Sequence, residues 1–184
     1  IKYHSFVEVF SFDSSKAGEV LVEGIRVADL YQKAGLKATI VPHAPYSVSE
    51  QLFAGIEKQQ TRFSGAISMH NQETPSENEM FVSAGGDLIE LFKKFGEDFS
   101  NFQPNYSGSL EYSFPQLTAG QNVLLVHNTE TTSEEMNLVN SKRDDIYWCT
   151  CPSANLYIEN RLPDLPMWFQ NNSKICVGTD SLAS

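Results

Sequence analysis

The chain has 184 residues, of which 41% are hydrophobic, and a formal net charge of −10 at pH 7. This length and apolar content are sufficient for one domain with a hydrophobic core. The acidic balance argues against nucleic acid as a partner, because binding a polyanion requires a basic surface. No segment approaches the roughly 20 consecutive apolar residues of a membrane span, so a membrane partner is not expected either.

Short apolar segments alternate with helical patterns along the chain. Strands are predicted at residues 4–11, 38–43, 66–70, 122–127, 146–151 and 174–179. Helices are predicted at residues 17–34, 49–60, 75–95 with a break at Gly85-Gly86, 133–141 and 162–171, and a loop at residues 101–108. Strands that alternate with helices predict βαβ units and a parallel sheet. The predicted fold class is therefore α/β, as a partial (β/α)8 TIM barrel of about six βα units extending over residues 1–184.

Four of the predicted strands end at or next to a residue that can bind a metal ion or transfer a proton. These residues are His43, His70, His127 and, after the last strand, Asp180. The carboxyl ends of barrel strands surround a single opening, so distant residues at these positions are expected to lie close together. A capping-box spacing of Ser or Thr and Glu follows each histidine, at residues 47–50, 74–77 and 132–135. Because a helix is predicted to begin so soon after each histidine, we expect all three at the rim of the barrel.

The densest group of candidate residues is the His-x-x-Glu sequence from His70 to Glu73. A neutral imidazole at the end of a strand can bind zinc, and zinc makes a bound water acidic enough to form hydroxide near neutral pH. A carboxylate three residues later could take the proton of that water and pass it to a leaving nitrogen. The alternative for Glu73 is a structural interaction with the positive N-terminus of the following helix.

The other candidate residues have both a chemical and a structural interpretation. Asp180 could bind the metal ion and accept a proton from the attacking water, or it could stabilise a turn. His127 could polarise the bond under attack, or it could be a structural histidine with satisfied hydrogen bonds. His43 is a candidate substrate contact. Asn155, after the fifth strand, could brace the rim of the site or belong to an ordinary loop.

All three cysteines, Cys149, Cys151 and Cys176, lie in apolar segments. Two cysteines at positions i and i+2 of a strand point to the same face, but without a second pair they are a weak zinc motif. Buried, reduced thiols are therefore the expected state, which is typical of a cytoplasmic protein.

Four segments resemble the metal-dependent amidohydrolase superfamily, and within it the branch of chlorohydrolases, guanine deaminases and adenosylhomocysteine deaminases. The segments are His43-Ala44-Pro45-Tyr46-Ser47, His70-Asn71-Gln72-Glu73-Thr74, Cys151-Pro152-Ser153-Ala154-Asn155-Leu156 and Gly178-Thr179-Asp180-Ser181-Leu182-Ala183-Ser184. The resemblance implies a distorted TIM barrel with one divalent metal ion, zinc being expected and iron the alternative. It implies that His70 and Asp180 bind this metal. It also implies that Glu73 transfers protons, that His127 steadies the attacked group and that His43 contacts the substrate.

Two features depart from that family. Its other two metal ligands form a His-x-His motif after the first strand, and this sequence contains no His-x-His. In addition, Asn128 follows His127, where many relatives have a cysteine. The chain begins at Ile1 rather than Met and ends soon after Asp180. We therefore expect a fragment with an incomplete site, because catalytic zinc usually has three protein ligands.

The sequence supports two functional interpretations. The first is an enzyme that hydrolyses C–N bonds other than peptide bonds, most simply by deaminating an aminopurine, a nucleoside or a related N-heterocycle. Hydrolysis of an acyclic amide is the close alternative, a small molecule is the expected partner, and the fragment alone is expected to be inactive. The second is a non-catalytic folding or interaction module, whose open sheet edges and bare apolar faces favour self-association into homo-oligomers.

Overall fold

The computed structural model describes residues 3–97, 99 and 102–181. Residue 101, where the predicted loop begins, and residues 182–184 of the last family-like segment lie outside these ranges. The described residues form six strands: β1 His4–Val9, β2 Lys37–Pro42, β3 Ile67–Asn71, β4 Val123–His127, β5 Ile146–Thr150 and β6 Ile175–Val177. β1 pairs with β2, while β3 to β6 pair in chain order, and every pair is parallel. The predicted parallel α/β architecture is confirmed.

Helices connect consecutive strands. They are α1 Ala17–Lys33, α2 Glu50–Gln59, α3 Pro75–Ser83, α4 Asp87–Lys94, α5 Ser109–Ser113, α6 Ser133–Lys142, α7 Pro152–Glu159 and α8 Leu165–Gln170. The predicted break in the third helical segment is confirmed, since Ala84 ends α3 with a φ of 53° and Gly86 precedes α4 with a φ of 86°. The two sheets meet where the backbone N–H of His70 donates to the carbonyl of His43 at 2.9 Å.

Several predicted boundaries were wrong. Neither α5 nor α7 was predicted, and the helix predicted at residues 162–171 is shortened to α8. Pro152 opens α7 rather than preventing it, because the first helical position needs no N–H partner. β1 stops before residue 11, where Ser11 keeps only an isolated bridge to Val48. β6 is limited to three residues, and Asp180 beyond it has a φ of 67°.

The four-stranded sheet has two different faces, because successive side chains of a strand point to opposite sides. On one face, Leu125 and Trp148 belong to the main core together with side chains of the helices, among them Met136 of α6 and Trp168 of α8. The opposite face carries a smaller apolar cluster that consists of Leu124, Val126, Cys149, Cys151, Ala154 and Cys176. His70 is the register partner of Val126 and therefore lies on this second face.

The three helices begin within one residue of the predicted starts, but the predicted capping box is formed in only one of them. At α6, Thr132 and Glu135 form the predicted capping box. At α2 the capping residue is Ser49 rather than the predicted Ser47, and at α3 the Thr74 side chain makes no capping hydrogen bond. Among the described helices, none combines the length and apolar character that crossing a membrane requires.

Candidate active site

His70 lies at the carboxyl end of β3, with one ring nitrogen already bound. Its Nδ1 lies 2.8 Å from the carbonyl oxygen of His43. Because a carbonyl can only accept, Nδ1 must carry a proton, so in the neutral ring the lone pair is on Nε2. This Nε2 lies 3.7 Å from Oδ1 of Asp180. In most metal-binding histidines, the ring nitrogen that does not bind the metal donates its N–H to a carboxylate, a carbonyl or water, and His70 is oriented in the same way.

The predicted convergence of the strand ends is confirmed. One ligand atom each from His70, His127 and Asp180 lies within 4.8 Å of the others. The ring centroids of His43 and His70 are 4.9 Å apart, and those of His70 and His127 are 5.3 Å apart. The three imidazoles therefore form a row along the ends of β2, β3 and β4, with the Asp180 carboxylate beside it.

His127 is held in the opposite tautomer to His70. The Asn155 amide oxygen accepts the backbone N–H of Cys151 at 3.0 Å, so its NH₂ group faces Nδ1 of His127 at 3.3 Å. Nδ1 must then be the acceptor, and the proton lies on Nε2. Burial and the nearby His70 lower the pKa of His127 to about 4, so the ring is neutral at pH 7. His127 thus presents an N–H rather than a lone pair, which suits a hydrogen-bond donor better than a metal ligand.

Glu73 follows β3 and has an unpaired acceptor. Its side chain is 14% exposed, and its Oε1 lies 3.5 Å from Nε2 of His127 without the geometry of a hydrogen bond. Within the described part of the chain, this buried oxygen has no hydrogen-bond partner. Burial, with a contribution from the charge of Asp180, raises the pKa of Glu73. A carboxylate left unpaired in this way is expected to bind something else, such as water or substrate.

His43 presents an acceptor to the same opening. Its Nδ1 lies 2.7 Å from Oγ of Ser47, whose hydroxyl donates to the carbonyl of Ala44 at 3.2 Å. The Ser47 oxygen must therefore accept from Nδ1–H, which leaves a lone pair on Nε2 of His43. Burial, assisted by the charge of His70, lowers the pKa of His43 to about 4. Ser47, predicted as a helix cap, instead orients this ring.

A buried polar network joins the loops that carry Glu73 and His127. Thr129 donates from Oγ1 to the carbonyl of Gln72 at 3.1 Å and also to the carbonyl of Glu73. Gln72 and His127 adopt the left-handed backbone region, with φ of 46° and 78°. Such conformations cost energy in non-glycine residues and tend to occur at functional sites. Sequence reasoning missed this network, because its partners are distant in the chain.

The donor set suits a divalent metal ion. His70 contributes a nitrogen lone pair and Asp180 a carboxylate, and zinc binds both kinds of ligand. The unpaired oxygen of Glu73 lies 3.5 Å from Nε2 of His127, whose ring is stacked on that of His70, so a base is available close to this pair. Two protein ligands are nevertheless fewer than the three that catalytic zinc usually has.

Comparison with known proteins identifies similar chains. An adenosine deaminase of Helicobacter pylori is 26% identical over 175 residues, which are 95% of this chain and 41% of that protein. The crystal structure of Helicobacter pylori aminofutalosine deaminase matches with a TM-score of 0.83 at 24% identity, covering 98% of this chain and 45% of that one. The zinc complex of atrazine chlorohydrolase from Arthrobacter aurescens matches with a TM-score of 0.69 at 13% identity, covering 100% of this chain and 39% of that one. The chain thus spans less than half of each of these proteins.

The structural matches show the fold and confirm the predicted partial (β/α)8 barrel. Residues 9–184 match the model of the amidohydrolase family. This range contains every strand end that forms the site. Because the match covers nearly all of its length, the chain belongs to the amidohydrolase family.

Proposed function

We propose that the protein containing this chain is a metal-dependent hydrolase that removes an amino group from an aminopurine nucleoside or a related N-heterocycle. The main supporting observation is that three side chains at the strand ends present different hydrogen-bonding groups to the same opening. His70 offers a lone pair, His127 offers an N–H and Glu73 offers an unpaired carboxylate oxygen. The similar proteins named adenosine deaminase and aminofutalosine deaminase support deamination as the reaction.

His70 and Asp180 are the residues that would hold the metal ion, with zinc expected and iron as the alternative. When bound, the ion would act as a Lewis acid and make water a better nucleophile at neutral pH. Because two ligands are too few for a catalytic zinc site, we propose that further ligands complete it within the same barrel domain. The 184-residue chain assayed by itself is then expected to bind zinc weakly and to be inactive.

The remaining side chains account for the proton transfers. Glu73 takes a proton from the attacking water and passes it to the leaving amino group, a role for which a raised pKa is suited. Asp180 is the second proton acceptor. His127 donates its Nε2–H to the attacked group of the substrate, where electron density increases during the reaction. His43 accepts a hydrogen bond from the substrate. Water replaces the amino group, so the products are the oxo heterocycle and ammonia.

One observation favours a second function of a different class, self-association. The described surface exposes apolar side chains on the strands of both sheets, including Phe6 of β1 and Val177 of β6, which are 39% and 72% exposed. Exposed apolar strand residues favour association with another copy. A size-exclusion measurement on the 184-residue chain distinguishes the cases, because a monomer would contradict self-association.

The test of the proposed reaction is ammonia release by the zinc-loaded protein that contains this chain. Adenosine, 5′-deoxyadenosine and guanine serve as substrates, and an N-acyl amino acid serves as the acyclic comparison. We expect ammonia from at least one aminopurine and a loss of about 10²–10⁴-fold in kcat for Glu73→Gln, with metal retained. Activity on the acyclic amide alone would overturn deamination, and normal turnover by Glu73→Gln would overturn the role of Glu73. Turnover by the 184-residue chain with stoichiometric zinc would show that its ligands suffice.

A further inference from the structure

Glu77, in the first turn of α3, is a fully buried carboxylate that binds the backbone next to Glu73. None of its surface is exposed. Its Oε1 accepts the backbone N–H of Gln72 at 2.8 Å and the hydroxyl of Ser109 at 2.6 Å, while its Oε2 accepts the backbone N–H of Glu73 at 3.2 Å. Both carboxylate oxygens are therefore engaged in hydrogen bonds within the protein.

These hydrogen bonds are not those of a helix cap. In a capping box, the third helical residue would bind the backbone N–H of the capping residue, here Thr74. Glu77 instead reaches past Thr74 to the two residues before it, Gln72 and Glu73. The loop that carries Glu73 is thereby held at two consecutive N–H groups.

The peptide groups on either side of Glu73 are held from two directions. Glu77 binds its N–H, and Thr129 donates to its carbonyl and to the carbonyl of Gln72. The side-chain Oε1 of Glu73 stays unpaired and lies 3.5 Å from Nε2 of His127. The backbone is thus immobilised while the reactive oxygen is left available.

Ser109, the third donor to Glu77, comes from a distant part of the chain, the first residue of α5. Its backbone N–H donates to Oδ1 of Asn78 at 3.1 Å. The preceding Gly108 allows this close approach, because a Cβ there would lie 2.9 Å from the same oxygen. α5 is therefore held against the start of α3, where the Ser109 hydroxyl orients the Glu77 carboxylate.

Burial of a carboxylate is costly unless hydrogen bonds compensate for the loss of water. For Glu77 the desolvation is large enough to raise the pKa to about 7 in spite of its three hydrogen-bond donors. A glutamine of the same shape would avoid this cost. A carboxylate is required here because two N–H groups and a hydroxyl all donate hydrogen bonds to this side chain, at two different oxygens. An amide has only one oxygen.

We propose that Glu77 is a positioning residue for the proton-transfer residue Glu73, and that Ser109 in turn orients Glu77. This inference rests on the proposed function. Glu77 acts through the loop backbone, so its effect on the reaction depends on the presence of the Glu73 carboxylate. A shift of about 1 Å in a reacting group can lower a rate about 10²-fold.

The test is a double-mutant cycle in the zinc-loaded protein that contains this chain. In Glu77→Gln, the new NH₂ group faces a backbone N–H, so one of the two loop contacts is lost. We expect kcat to fall about 10- to 100-fold with KM changed less than about 2-fold. In a Glu73→Gln background, the same change should cause no further loss. Glu79→Gln, an exposed residue of the same helix, is the matched control and should leave both constants unchanged.

Ser109→Ala provides a milder variant that keeps the carboxylate. It should lower kcat less than Glu77→Gln does and again have no effect without the Glu73 carboxylate. A second measurement does not depend on activity: hydrogen exchange of the Gln72 and Glu73 amides should accelerate in Glu77→Gln and stay unchanged in Glu79→Gln.

The outcomes separate the inference from the proposed function. An equal loss of kcat from Glu77→Gln in both backgrounds, or unchanged exchange of the two amides, would overturn the positioning role. A zinc-loaded wild-type protein that releases no ammonia from any aminopurine would instead overturn the proposed function, and with it this inference.

Discussion

Nε2 of His70 lies 3.7 Å from Oδ1 of Asp180, although one residue belongs to β3 and the other follows β6. β4 and β5 separate these strands in the sheet. The two side chains meet at the strand ends, where Asp180 has a left-handed backbone conformation with a φ of 67°. A space for one cation is the consequence.

The first prediction concerns metal affinity. Because His70 and Asp180 are the proposed ligands, His70→Ala and Asp180→Asn should each weaken zinc binding by more than about 100-fold, as expected when a direct ligand is lost. Competition with a chromophoric chelator measures the affinity. Asp87→Asn, an exposed residue of α4, is the control for a change of charge. Wild-type zinc affinity in both ligand variants would contradict the proposed metal site.

The second prediction concerns the tautomer of His127. Asn155→Asp keeps the acceptor for Cys151 N–H but replaces the NH₂ group that faces Nδ1 with a second oxygen. The carboxylate would draw the proton to Nδ1, so at alkaline pH the neutral ring would lose its Nε2–H. We expect kcat to fall about 100-fold or more at pH 8, as a wrong tautomer can cost about 10⁴-fold in other enzymes.

Nitrogen-15 chemical shifts of the His127 ring report the tautomer directly. The wild-type ring should show protonated Nε2 and unprotonated Nδ1, and the variant should show the reverse at pH 8. If the ring of the wild-type protein is protonated at Nδ1 instead, His127 presents a lone pair to the opening and its assignment as a donor is wrong.

The third prediction concerns acid stability and follows from His43. Its pKa is about 4 in the folded protein and has the ordinary value of 6.5 in the unfolded chain. Between these values the unfolded chain binds more protons, so the contribution of His43 to stability is complete above pH 6.5 and is lost as the pH falls toward 4. His43→Asn should therefore lose less stability than the wild type over this range.

The measurement is the free energy of unfolding of both metal-free proteins between pH 7.5 and 4.5. The quantity to compare is the difference in free energy of unfolding between the wild type and His43→Asn at each pH. This is because Glu77, with its pKa raised to about 7, stabilises the fold as the pH falls over part of the same range. This contribution is common to both proteins and cancels. Identical pH dependence in the two would show that His43 is not buried as described.

The fourth prediction concerns Gly178, which precedes the turn to Asp180. A Cβ at this position would lie 3.1 Å from Sγ of Cys151 and 3.4 Å from Sγ of Cys149. Gly178→Ala should therefore destabilise the fold by about 1–3 kcal/mol, the range for overpacking, and weaken zinc binding by displacing Asp180. Adding Cys151→Ala should restore part of both losses, because it removes the nearer sulfur.

Gly18→Ala is the matched control for this substitution. Gly18 lies in α1 with no atom within 4 Å of the added Cβ, so alanine there should stabilise the helix by about 0.5–1 kcal/mol. Chemical denaturation of the three variants and the wild type measures these differences. If Gly178→Ala is as stable as the wild type and binds zinc normally, the packing of the turn against the thiols is not tight.

The positions of the candidate residues could be predicted from the sequence for a simple reason. Apolar segments of strand length ended at His43, His70 and His127, and parallel strands must end at one edge of a sheet. That topology leaves little freedom in where these side chains lie. α7 was not predicted, although Pro152 fits the first position of a helix.

The sequence by itself determined the order of the strands, the α/β class and which residues gather at their ends, because hydrophobic periodicity and strand direction are local properties of the chain. Only the tertiary structure decided how each of these residues is protonated and held. Asn155 selects the tautomer of His127, and Glu77 binds the loop of Glu73, through hydrogen bonds whose geometry depends on the folded backbone. Hydrogen bonds act over about 3 Å, so their partners exist only once distant segments have been brought into contact.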